Sequence, residues 1–133
     1  TLKRFDTRFF VALAPEGQAA QHCERETTEA VWLDPTAALE RAWRGEIDLA
    51  PPQIMSLALL ARLGTIAEVK AWAASHAPAL IEPEPMDVNG ERVICYPGDA
   101  EHSVSEAPWP GPTRLVFRQG RFEAPGGLAA LLG

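Results

Sequence analysis

An α/β fold is what this sequence predicts, and three observations carry the prediction. Two runs rich in β-branched and aromatic residues come first, three capped helical patterns fill residues 34–77, and the remainder is a Pro/Gly-punctuated tail with two hairpin signals. From Arg4 to Ala14 a strand is expected, with Phe5, Thr7, Phe9 and Val11 on one face and Phe10 and Ala12 on the other. Both faces are apolar at its centre, which predicts a strand covered on both sides. Pro15-Glu16-Gly17 ends it, and Gln18 to Glu26 reads as a polar loop.

A second strand is expected over Thr28 to Leu33, where Ala30 and Trp32 alternate with Glu29, Val31 and Leu33. Asp34-Pro35 then supplies an N-cap and a proline at the first helical position, because a carboxylate can accept from the free first-turn N–H groups and proline has no N–H to lose. Ala37, Ala38, Leu39, Ala42 and Trp43 give that helix its apolar stripe, and Gly45 stops it. After an extended stretch at Ile47 to Ala50, Pro51-Pro52 opens another helix carrying Ile54, Met55, Leu57, Ala58, Leu59, Leu60 and Leu63, closed by Gly64. Thr65 with Glu68 three residues on is a capping box for a third helix, whose Ile66, Val69, Trp72 and Ala73 are expected to face inward before Pro78.

In the tail, Asn89-Gly90 separates Met86-Asp87-Val88 from Arg92-Val93-Ile94 and predicts a hairpin with a two-residue turn. Gln119-Gly120, between Thr113 to Phe117 and Arg121-Phe122, predicts a second one. There are no internal repeats. The expected organisation is residues 1–77 as one portion and 78–133 as a hairpin extension packing on the same domain.

At 133 residues and 14.4 kDa, with 47% hydrophobic and 23% charged residues, the composition is that of a small globular domain. Twelve Lys and Arg against 18 Asp and Glu give a net charge of −6, which repels a phosphate backbone, so no nucleic acid partner is expected. Cys23 and Cys95 are too few for a disulfide framework, and a reducing cytoplasm is the expected location. No apolar run approaches the roughly 20 residues of a membrane span. The chain opens on Thr1 and enters a strand-like pattern within a few residues, which leads to the expectation of a fragment, or of a chain that has lost its initiator Met.

The combination Glu29-Ala30-Val31-Trp32-Leu33, Asp34-Pro35, Ala38-Leu39 and then Leu49-Ala50-Pro51-Pro52-Gln53 resembles the Nudix hydrolases, in the part of the domain that follows the catalytic box. The Pro-Pro-Gln helix start is similar to that of the coenzyme A diphosphatase-like subgroup. The resemblance covers Phe5 to about Ala74 and implies the C-terminal portion of an α/β/α sandwich with a mixed sheet, the tail lying outside it. It also implies hydrolysis of a diphosphate linkage in a nucleoside diphosphate derivative, a small-molecule nucleotide substrate that includes coenzyme A derivatives. Nudix enzymes hold Mg²⁺ or Mn²⁺ through a helix with the pattern G-x5-E-x7-R-E-U-x-E-E-x-G-U, U being bulky and aliphatic, and the metal polarises phosphoryl oxygens and activates water.

Here the nearest local match, Arg25-Glu26-Thr27-Thr28-Glu29, departs from that pattern. Ala30 stands for the last glutamate, Trp32 for the glycine, and Val11 and Gly17 for the upstream glycine and glutamate. No metal ligand is therefore expected in this chain. Either the box lies in an N-terminal half of the same domain carried elsewhere, or the chain is a non-catalytic Nudix-like binding or dimerisation module, with a homodimer as one form. An unrelated α+β domain with a similar helix start is the third reading.

The resemblance places a general base in the loop before the second strand, where Glu24, Glu26 and Glu29 stand; Glu26 is the candidate, against the plainer reading of solvated loop glutamates. Phe5 and Phe9 are candidate substrate-pocket residues, with core packing as the alternative. Arg8, with Lys3 and Arg4, is a candidate phosphate contact, against a solvated strand end. Gln53 marks a helix start whose N–H groups suit an anion, or a plain cap. His22, His76 and His102 have no metal spacing, and Asp99, His102 and Ser103 lie too close in sequence to make a catalytic line. Cys23, beside Glu24 and Glu26, is no nucleophile, since its thiolate would be disfavoured there.

Overall fold

A computed structural model of the chain describes residues 5–19 and 29–133. They fall into two units: Thr1–Trp32 with Thr65–Ala77, and Leu33–Gly64 with Pro78–Gly133.

The second unit begins with α1 (Pro35–Trp43). Asp34 Oδ1 accepts from Thr36 N at 2.8 Å and Ala37 N at 3.3 Å, so the N-cap read from the sequence forms. Ala38 and Leu39 are the buried positions of α1. Gly45 follows with φ 75°, the left-handed conformation that ends a helix cheaply only in glycine. α2 (Pro51–Leu63) starts on its proline pair, buries Ile54, Met55 and Ala58 along one stripe, and ends at Gly64 with φ 79°.

Four strands make an antiparallel meander in the order β1-β2-β3-β4: β1 (Glu84–Val88), β2 (Glu91–Cys95), β3 (Arg114–Arg118) and β4 (Arg121–Glu123). Both predicted hairpins form, with Val88 opposite Glu91 and Arg118 opposite Arg121 across two-residue turns. Asn89 and Gly90 have φ 51° and 81°, Gln119 and Gly120 φ 50° and 80°. Positive φ at both central positions matches the right-handed strand twist. A short helix, α4 (Leu128–Leu132), closes the chain.

Period-two alternation sorts the sheet into two faces. Leu115, with Ile94 and Phe122, packs with Leu39 of α1, Ile54, Met55 and Ala58 of α2 and Leu131 of α4, together with Tyr96 and Ala124. Val93, Cys95 and Val116 form a smaller cluster on the other face with Met86 and Val88. Leu115 is fully buried. At the β4 edge Arg121 lies 4.9 Å over the Trp43 ring and its Nη1 donates to the Trp43 carbonyl, tying the sheet to the end of α1.

The first unit differs from expectation. Of the strands expected at Arg4–Ala14 and Thr28–Leu33, the described residues form neither: Phe5, Phe9 and Phe10 are 84%, 72% and 87% exposed, and Trp32 is exposed too. In place of a mixed sheet beginning near residue 4, the sheet among the described residues is antiparallel and begins at Glu84. Alternation keeps a backbone extended, but a strand also needs a neighbour for its N–H and C=O groups, and among the described residues none pairs with these segments. α3 (Ile66–Ser75) forms as predicted, Thr65 Oγ1 accepting from Glu68 N at 3.2 Å. Its expected inward face does not: it has no buried residue, Ile66 and Ala73 are exposed, and Trp72 instead stacks on its own His76 with ring centroids 3.7 Å apart.

Candidate functional site

Of the residues singled out in the sequence, Glu26 lies outside the described residues. Phe5, Arg8 and Phe9 share an exposed stretch of the first unit that has no regular secondary structure. Gln53 belongs to the second unit, where its Oε1 accepts from Ala50 N at 2.8 Å. Its side chain therefore closes the start of α2 in the manner of a cap.

The charged chemistry that the second unit does assemble centres on Asp99. Gly98, with φ 98°, allows the chain to turn there; a Cβ at this position would stand 2.6 Å from Ala107 Cβ. Asp99 then meets Arg114 as a fork: Nε donates to Oδ2 at 2.9 Å and Nη2 to Oδ1 at 2.6 Å. Glu101 N also donates to Oδ1 at 2.9 Å. The Arg114 hydrogen bonds hold the carboxyl down at about 2, and the same pairing raises the guanidinium. An acid so held is a fixed anion and a poor general base. Burial pushes the neighbouring Cys95 thiol up, and the Asp99 charge adds to the effect, so Cys95 is no ready nucleophile.

The second group ties the 96–113 loop to β1. Ser103 donates through N to Glu84 Oε2 at 3.1 Å and through Oγ to Oε1. His102 Nδ1 accepts from Val104 N at 2.9 Å, which leaves Nε2 to donate to the Glu82 carbonyl at 2.8 Å. The Ser103 hydroxyl bond keeps the Glu84 carboxyl below its ordinary value. Asp99 thus belongs to Arg114, Ser103 to Glu84 and His102 to the backbone. The three make no catalytic line, in agreement with the sequence reading.

An open cleft of about 510 Å³ lies beside the Asp99–Arg114 pair, walled by Gly111, Pro112, Thr113 and Pro125. Its acid, Asp99, is already occupied by Arg114. Among the described residues no group of three or more His, Cys, Asp or Glu side chains converges to hold a metal ion, so these residues do not fit a Mg²⁺ or Mn²⁺ site. Sequence reasoning missed the Asp99–Arg114 fork. Pro97-Gly98 marked a turn, but nothing in the spacing couples Asp99 to the first residue of β3.

The fold defines an α/β protein in which an antiparallel meander is covered by helices on one face, and no helix among the described residues is long and apolar enough to cross a membrane. No family model matches the chain, and no solved structure matches it. The chain is 30% identical over 103 residues to the Caenorhabditis elegans protein named "Putative nudix hydrolase 7". That match takes in 73% of this chain and 33% of the relative, so the chain spans about a third of the length of the curated relative it matches. The similarity supports the Nudix resemblance read from the Trp-Leu-Asp-Pro and Pro-Pro-Gln segments.

Proposed function

We propose that the chain is the C-terminal portion of a Nudix-type hydrolase that cleaves a diphosphate linkage in a nucleoside diphosphate derivative, with a coenzyme A derivative as the leading candidate. The observation that carries this reading is the 30% identity over 103 residues to a protein named as a nudix hydrolase. Two local features support it: the quoted segments form the helix starts expected of them, at Asp34-Pro35 and at Pro51-Pro52-Gln53. Residues 1–77 are the Nudix-like portion of an α/β/α sandwich, and 78–133 an extension on the same domain. A core that joins Leu39, Ile54 and Met55 to Tyr96 and Leu115 supports the second half of that division.

In this account Mg²⁺ or Mn²⁺ is held by glutamates of an N-terminal half outside this chain. Water attacks phosphorus and the diphosphate bond breaks. Glu26 accepts the proton of that water, while Phe5, Phe9 and Arg8 contribute walls and contacts for the substrate.

The test uses the protein expressed from its full reading frame, incubated with coenzyme A and Mg²⁺ or Mn²⁺, with products separated by chromatography. Phosphopantetheine and a nucleoside bisphosphate are the expected products, and Glu26→Gln should slow their release without changing substrate affinity. Binding of coenzyme A without turnover would overturn hydrolysis in favour of a binding or dimerisation module. Neither binding nor turnover would overturn the choice of substrate.

A further inference from the structure

We propose that Asn89 is a site of spontaneous deamidation, at which the first hairpin turn converts through a cyclic imide to aspartate and isoaspartate. Asn89 and Gly90 are both exposed, and Asn89 is the single asparagine in the sequence. In the reaction, the main-chain nitrogen of Gly90 loses its proton to solvent base and attacks Asn89 Cγ. A new C–N bond closes a five-membered imide, the side-chain amide C–N bond breaks, and ammonia leaves. Water then adds to one of the two imide carbonyls. Opening at one restores the ordinary backbone with an aspartate; opening at the other routes the backbone through the former side chain and adds a methylene to it.

The turn leaves this nitrogen accessible. Both turn residues are exposed, and apart from its chain neighbours nothing lies within 4 Å of the position a Cβ would take on Gly90, so no packed residue crowds the turn. The ladder pairs Val88 with Glu91, which leaves the Gly90 N–H in the turn and outside the ladder register.

The molecule contains its own control. Gln119-Gly120 has nearly the same geometry, φ 50° and 80° against 51° and 81°, and open space around its glycine as well. Its longer side chain must close a six-membered ring, which is slower, so a difference between the two turns isolates ring size from exposure and backbone shape.

The two products have different structural consequences. Aspartate followed by glycine suits the same two-residue turn, so the register from Val88–Glu91 to Glu84–Cys95 survives. Isoaspartate lengthens the connection while the strands stay the same. The misfit falls on β1, which carries Glu84, the partner of Ser103 at the far end, and on the Val93 and Cys95 cluster beside it.

The experiment is incubation of the native full chain at mildly alkaline pH, with peptide mass mapping over time and isoaspartate measured by its enzymatic methylation. The peptide containing Asn89 should gain one mass unit and accumulate isoaspartate, faster as pH rises, while the Gln119 peptide stays unchanged. Conversion at Asn89 in denatured but not in native protein would overturn the proposal, as would equal conversion at Gln119. Thermal unfolding supplies the second arm. The isoaspartate fraction should melt below fresh protein and Asn89→Asp should melt with it; isoaspartate material as stable as fresh protein would overturn the register argument.

Discussion

Two regions of this chain carry equally strong strand patterns, and they behave in opposite ways. Phe5 to Leu13 and Glu29 to Leu33 alternate and are rich in aromatic and β-branched residues, yet stay unpaired and exposed. The runs on either side of Asn89-Gly90 and Gln119-Gly120 are no longer than five residues and more polar, yet form ladders and bury Leu115, Val93 and Cys95. The difference is the turn. A two-residue turn delivers a strand's partner at almost no loop-closure cost, whereas the first two segments lie far apart in the sequence, from Leu13 to Glu29, and depend on partners the described residues do not supply.

Breaking the formed region should therefore cost far more than altering the unformed one. The largest effect is expected for Arg114→Ala, which strips the partner from the buried Asp99 carboxylate and should cost about 3–5 kcal/mol in denaturant unfolding. Leu115→Ala, which opens a cavity between sheet and helices, should cost about 2–5 kcal/mol by the same measurement. Gly98→Ala combines a positive φ with a clash against Ala107 and should cost about 1–3 kcal/mol. At the other end, Phe9→Ser should fall within about 0.5 kcal/mol of the parent, since it leaves an exposed position exposed. A large loss from Phe9→Ser would mean that the first region is buried after all, and the contrast would fail.

Acid sharpens the same comparison. The Asp99 carboxyl is lowered from an ordinary 3.8 to about 2, so its pairing contributes stability that is fully present above the ordinary value and lost as pH falls through about 2. Linkage sets this contribution at about 2 kcal/mol. Unfolding of the second unit, followed by hydrogen exchange of the β2 and β3 amides, should show that loss between these two values, and Asp99→Asn should abolish it. A variant that keeps the full acid dependence would place the titration elsewhere.

Much of the local structure was legible because its causes are local. The Asp34 and Thr65 caps, the proline pair opening α2, the glycines after α1 and α2, and both hairpin turns each depend on residues within four positions of one another. The rejection of a triad at Asp99, His102 and Ser103 was legible for the same reason. The candidate site was less so, since Glu26 lies outside the described residues and Gln53, read as a possible anion contact, turned out to be engaged with Ala50.

The sequence by itself determined where helices begin and end and where the chain reverses, because caps and positive-φ turns are short-range energies that each segment satisfies alone. Only the tertiary structure decided which runs become strands and that Asp99 takes Arg114 as its partner. Those outcomes depend on which groups meet after the chain has closed loops of many residues, and alternation or charge within one segment carries no record of that meeting.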